Sequence, residues 1–235
     1  MKWGKPLPTK LKHNLMRLNR RPFITYAILI INIAMFLLME ITGSSQNVLT
    51  LVQFGAKSNL FIAAGEWWRL ITPMFLHIGV VHLIMNSLII YFLGMQLEEI
   101  YGHLRFTLIY LFSGIFGNIL SFAFNDAISA GASTAVFGLF MTTLVLANER
   151  PNNPAIQAIA RNYRILIIIN IIFNLFDAGV DLAGHLGGLA GGFLVAKALT
   201  KTNDKDFRLS YMIVYVVAAI ILFYIGYQGT ISRLF

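Results

Sequence analysis

His82 and Asn86 stand four residues apart inside one apolar run, Ser133 follows Gly131 and Ala132 at the head of another, and His185 follows Asp181 at the head of a third. The four-residue spacing puts His82 and Asn86 on one helix face, from which an imidazole and a carboxamide can present donors to one point. A serine hydroxyl beside a second imidazole makes a nucleophile with its general base. Together these residue types fit an acyl-transfer scheme. Ser133 attacks a carbonyl while His185 takes its proton and later returns it to the leaving amine. His82, the Asn86 amide and the Ser133 backbone N–H meet the oxyanion, an effect of about 3–4 kcal/mol per donor. Each residue also has a plainer reading. Polar side chains in apolar helices bond neighbouring helices at about 0.6–2 kcal/mol each, and a helical serine often bonds its own backbone. Asp181 could orient His185, but at a helix start it reads more readily as the N-cap, which leaves a Ser–His dyad.

The elements that must hold these residues are set by composition. The 235 residues are 57% hydrophobic and 12% charged, with 19 Phe, against about 45–50% and 25% in an ordinary soluble domain. Mean hydropathy is +0.72. So little polar surface excludes a water-soluble globule and makes the bilayer the solvent. With no cysteine, disulfides, thiolate-held zinc, Fe–S clusters and thiol nucleophiles are excluded; no metal or other cofactor is expected. The net charge of +8 is scattered between apolar runs rather than gathered in a stripe, so no nucleic-acid partner is expected.

Apolar stretches near 24–41, 77–97, 106–124, 131–147, 164–180, 182–199 and 209–228 predict seven membrane spans. The fifth is short, with only Ile165 to Phe176 uncharged between Arg164 and Asp177. Of the 18 Lys and Arg, alternate segments carry 15 on one side and 3 on the other. That asymmetry places the N-terminus in the cytoplasm and the C-terminus outside. Lys2, Lys5, Lys10, Lys12, Arg17, Arg20 and Arg21 precede the first span as they would a signal anchor, with no cleavage expected. Spans 2, 4 and 6 all run inward, so His82, Asn86, Ser133 and His185 fall at similar depth below the outer surface. Gly184, Gly188 and Gly192 form a small-residue face on span 6, suited to the close approach of span 4 that would bring His185 to Ser133. Residues 42–76 are too many to leave structureless; Trp67 and Trp68 suit an outer interface.

Taken in order, the motifs resemble those of the rhomboid intramembrane serine proteases, from about Glu66 to Phe193. Trp68-Arg69 followed by Thr72-Pro73-Met74-Phe75-Leu76-His77 is similar to the family's first-loop signature, and His82 to Asn86 to its HxxxN motif. Tyr91-Phe92-Leu93-Gly94 leading to Glu98, and Gly117-Asn118 with Ser121, resemble the ends of its second and third core helices. Gly131-Ala132-Ser133 is similar to the GxS motif, and His185, Gly188 and Gly192 to HxxGxxxG. The resemblance implies an all-α polytopic membrane protein, a six-helix bundle plus a seventh C-terminal transmembrane helix. It implies Ser133 as nucleophile and His185 as base, His82 and Asn86 in the oxyanion hole with Gly131 and Phe137 lining the site, and a water-filled cavity open to the outside. Arg69 and Glu98 map to structural positions. Two departures stand out: Thr134 replaces a frequent glycine, and Phe137 replaces the tyrosine of some members, keeping a ring to stack on His185 but losing the hydroxyl.

The predicted organisation is a basic cytoplasmic segment over 1–23, a catalytic core over 24–199, a cytoplasmic linker over 200–208, and the added helix with a short extracellular tail over 209–235. The predicted activity is serine endopeptidase cleavage in or near transmembrane segments of membrane proteins, in a plasma membrane. The alternative is a non-catalytic relative that binds or escorts membrane helices, against which the presence of both Ser133 and His185 argues. A transporter is disfavoured because no matched pair of broken, charged helices is present. Asn170 and Asn174 on one face of the short fifth span suggest a weakly held helix that moves to admit substrate.

Overall fold

The computed structural model describes residues 21–177, 179–199 and 205–234. The N-terminal basic residues up to Arg20, and residues 200–204 of the expected linker, lie outside the described residues. Among the described residues the architecture is all-helical, apart from an isolated antiparallel bridge between Lys57 and Ser129. The helices are α1 (Phe23–Thr42), α2 (Val48–Gln53), α3 (Asn59–Ala63), α4 (Gly79–Ile89), α5 (Met95–Tyr101), α6 (His103–Phe124), α7 (Ser133–Glu149), α8 (Pro154–Phe176), α9 (Leu182–Leu199) and α10 (Lys205–Ile231). A π turn at Ile90–Gly94 joins α4 and α5 into one 23-residue rod.

Six of these, counting α4–α5 as one, are long and apolar enough to cross a bilayer: α1, α4–α5, α6, α8, α9 and α10. The short member is α7 rather than the expected fifth span. Its 17 residues reach about 25 Å at 1.5 Å per residue, less than the roughly 30 Å of hydrocarbon. The fifth span, α8, begins ten residues earlier than its apolar run because Asn153 caps it, accepting from Ile156 N–H at 3.2 Å, with Pro154 at the first helical position. Those start signals outweigh Arg161 and Arg164, whose long side chains can carry their charge outward from a helix end.

Burial separates centre from periphery. In the apolar stretches of α6 and α9, 61% and 56% of residues are buried, against 11% and 6% in α8 and α10. The centre is assembled through glycine. A Cβ added at Gly192 would meet the Cα and carbonyl oxygen of Gly138 at 2.5 Å, and one at Gly188 would collide with the Thr134 carbonyl. The expected face of Gly184, Gly188 and Gly192 is therefore the one α7 packs on. Gly187 and Gly191 form a second face against α6, where they meet Gly117, Leu120 and Phe116. Small residues let backbones close to this distance, so dispersion substitutes for the hydrophobic drive that lipid removes.

Long-range polar contacts fix the remaining pieces. The N-terminus of α1 has no side-chain cap of its own. The buried Glu98 carboxylate supplies one, accepting from Ile24 N–H at 3.0 Å and from the Thr25 N–H and hydroxyl at 2.8 and 2.6 Å. An anion at a helix N-terminus satisfies free donors and opposes the dipole. The long first loop is ordered, as its length demands. Arg69 ties it together through the Val52 and Ala56 carbonyls and Glu66. Trp67 and Trp68 are exposed, as an interfacial anchor would be. Lys57, fully buried, reaches the Asn125 and Ala127 carbonyls, and Asn59 donates to Asp126, clamping this loop to residues 125–131. Burial pushes the Lys57 ammonium down to about 8, against the pull of Asp181 and Asp126. At the far end of α10, Arg233 pairs with Asp126 at 2.6 Å.

Candidate active site

The tight α7–α9 packing sets Ser133, the first residue of α7, against His185, one turn into α9. His185 Nε2 lies 2.8 Å from Ser133 Oγ. The imidazole stacks on Phe137, one turn after the serine, with ring centroids 4.2 Å apart and planes 9° from parallel. Close glycine contacts bring the two backbones together, and the phenyl face fixes the plane in which the imidazole points.

Gly131 turns the chain into α7 with φ +151°, where a side chain is strained. A Cβ built there would lie 2.6 Å from His82 Cε1 and 3.5 Å from Ser133 Oγ, so the missing side chain leaves the space between those two groups. Its own N–H donates to the Pro73 carbonyl at 2.9 Å, which holds the turn in place. His82 Nδ1 accepts from the Ile78 N–H at a long 3.4 Å; that bond favours the tautomer with its proton on Nε2, the nitrogen facing Gly131. Asn86 is buried and donates one amide N–H to the His82 carbonyl at 3.0 Å, leaving a second donor. The first N–H groups of α7, that of Ser133 among them, precede the first intrahelical bond of that helix, Val136 N–H to the Ala132 carbonyl. They make a positive helix end beside the serine. A cavity of about 580 Å³ brings all six expected residues together: His82, Asn86, Gly131, Ser133, Phe137 and His185 line it.

Asp181 caps α9, as its position suggested, and does not meet the His185 ring. One carboxylate oxygen accepts from the Gly184 N–H at 2.9 Å and the other from the Ser121 hydroxyl at 2.5 Å. Burial pushes its pKa upward, but bonds from Ser121, Asn125 and Gly184 and the Lys57 charge outweigh it and hold the carboxyl below its usual range. Two neighbours were not singled out as site residues by sequence reasoning. His77 is fully buried with its ring 5.3 Å from that of His82, and neither of its nitrogens has a partner among the described residues. Burial, with His82 beside it, pushes its pKa down to about 3. Asn174 Nδ2 lies 2.6 Å from His185 Nδ1. The available signal was the four-residue spacing of Asn170 and Asn174 on an apolar helix; Asn170 instead bonds the Leu166 carbonyl of its own helix. Among the described residues no group of three His, Asp or Glu could hold a metal ion.

A bundle of apolar helices around a cavity, with a serine–imidazole contact in its wall, defines a multi-pass membrane protein. The family model of the rhomboid domain matches residues 64–202, and the chain belongs to the rhomboid family. It is similar to the rhomboid protease GluP of Bacillus subtilis (strain 168), 43% identical over 210 residues, covering 88% of this chain and 41% of that protein. It is also similar to rhomboid-like protease 1 of Toxoplasma gondii, 35% identical over 66% of this chain and 55% of the relative. A third relative is the mitochondrial RHOMBOID-like protein 6 of Arabidopsis thaliana, 40% identical over 68% of this chain and 54% of the relative. The chain thus spans about half, or less, of the length of these relatives.

Proposed function

We propose that this chain is an intramembrane serine endopeptidase that hydrolyses peptide bonds in or near the transmembrane segments of other membrane proteins. The observation that carries this reading is the 2.8 Å approach of His185 Nε2 to Ser133 Oγ in the wall of a cavity inside the bundle. Ser133 Oγ bonds to the scissile carbonyl carbon as its proton passes to His185 Nε2. The oxyanion is met by the Ser133 N–H, His82 Nε2–H and the second Asn86 N–H. Collapse breaks the C–N bond, and His185 returns the proton to the departing amine. Water then attacks the acyl-serine, giving its proton to His185; the tetrahedral adduct releases the new carboxyl end and restores the serine. The proposed core spans residues 24–199 with α10 appended. The proposed orientation has the N-terminus in the cytoplasm of a plasma-membrane protein and the cavity opening outward. Substrate is proposed to pass α8, the transmembrane helix of the core with the fewest buried residues in its apolar stretch.

The deciding test is labelling of the detergent-solubilised protein with a fluorophosphonate, paired with cleavage of a membrane-embedded peptide in lipid. Both signals are expected in the wild type and in neither Ser133→Ala nor His185→Ala. A folded wild type silent in both assays would favour helix binding without catalysis. Because the chain has no cysteine, single-cysteine labelling reads the orientation: Ser44→Cys should react from outside and Asn152→Cys only after permeabilisation. A cross-link between α8 and α4 should reduce cleavage, and unchanged turnover would remove the proposed path.

A further inference from the structure

A neutral imidazole carries one N–H, and the neighbour of one ring nitrogen decides what the other can do. To take a proton from Ser133, His185 Nε2 must hold a lone pair, which puts the ring proton on Nδ1 and requires an acceptor there. Asp181, the nearest carboxylate along the chain, is already engaged by Gly184 and Ser121. The group at Nδ1 is the Asn174 amide, from the last turn of α8, at 2.6 Å. A terminal amide presents its NH₂ or its carbonyl oxygen to the same point after a half-turn, with almost no change of shape. With the NH₂ toward Nδ1, as it stands, the ring proton sits on Nε2 and His185 donates to the serine hydroxyl. With Oδ1 toward Nδ1, the proton sits on Nδ1 and Nε2 accepts from the serine.

We propose that Asn174 is a positioning residue that selects the base form of His185, its carbonyl oxygen accepting from Nδ1–H as Nε2 takes the serine proton. This rests on the proteolytic reading above. Oδ1 also faces the charge that appears when the ring becomes imidazolium, and a neutral amide provides it without placing a permanent charge inside the bundle. Phe137 fixes the ring plane and Asn174 fixes rotation within it, so α7 and α8 share the orientation of a base carried by α9.

The groups around His185 are Ser133 and Phe137 from α7, Asn174 from α8, His82 from α4 and, at the start of its own helix, Asp181, which is bonded to Ser121 of α6. The test compares wild type, Asn174→Leu and Asn174→Asp in lipid with a membrane-embedded peptide, reading kcat and KM separately across pH, alongside fluorophosphonate labelling and thermal melting. Asn174→Leu should lower kcat by about 10- to 100-fold with KM nearly unchanged. Asn174→Asp keeps an acceptor and should recover most of that loss, while its carboxylate, stabilising the imidazolium, shifts the acid limb of kcat upward by about one pH unit. Wild-type kcat in Asn174→Leu would overturn the proposal. So would an Asn174→Asp variant as slow as Asn174→Leu with its acid limb unmoved. If Asn174→Leu does not fold, Asn174→Asp decides alone through its pH profile. A wild type inert in both assays would remove the proteolytic reading itself, whereas an active wild type with an insensitive Asn174 removes only this inference.

Discussion

An alanine at Gly131 meets two obstacles at once: a φ of +151° that side chains rarely adopt, and the His82 ring 2.6 Å from the new methyl. Gly131→Ala should therefore displace His82 from Ser133 and lower kcat by about 100-fold or more, as loss of an oxyanion donor does, while detergent melting shows a folded protein. Wild-type cleavage in that variant would remove His82 from the oxyanion scheme. Phe137 offers a different test, because its ring stacks on the base. Phe137→Ala should slow turnover and, the side chain being buried, lower stability by about 3–5 kcal/mol. If both proteolysis and the unfolding midpoint stayed unchanged, stacking would have no role in holding His185.

At the scale of helices, the site depends on how closely α7 and α9 approach. Gly192→Val would drive a branched side chain into the Gly138 backbone, which already lies 2.5 Å from a single added Cβ. Since neither backbone can yield as a flexible side chain would, the helices must separate, at about 1–3 kcal/mol. The unfolding midpoint in detergent should fall and cleavage with it, although Gly192 lies two turns from His185. An unchanged midpoint would mean that the glycine face is not what sets the spacing. Lengths also matter here: α7 is too short to span the hydrocarbon alone, and its serine-bearing start lies in the wall of the cavity that its neighbours line.

For the molecule as a whole, His77 predicts an acid limit to stability. Its pKa falls from an ordinary 6.5 to about 3 on folding, so below pH 6.5 the unfolded chain takes up a proton that the folded chain refuses. Stability is therefore full above 6.5 and lost at about 1.4 kcal/mol per pH unit as pH falls toward 3. His77→Phe keeps a ring of similar size where neither nitrogen has a partner, and melting curves of that variant should be flatter than the wild type's across this window. Equal acid sensitivity in the two proteins would place the titrating group elsewhere.

Patterns local in the chain were legible without the fold. Apolar length announced the spans, glycine spacing marked the face α7 packs on, and four-residue spacing paired His82 with Asn86. Each is fixed by helix periodicity or by transfer into lipid, which neighbouring residues alone determine. The start of α8 is set by the Asn153-Pro154 signal rather than by where apolarity begins, and the helix too short for the bilayer is α7 rather than the fifth span. Contacts between distant segments stayed hidden: Glu98 capping α1, Lys57 clamping the loop before α7, and above all Asn174 against the second nitrogen of His185. Nothing in the sequence around Asn174 distinguishes it from Asn170 one turn away. Only the tertiary placement of α8 against α9 brings one amide to the imidazole and leaves the other on its own backbone.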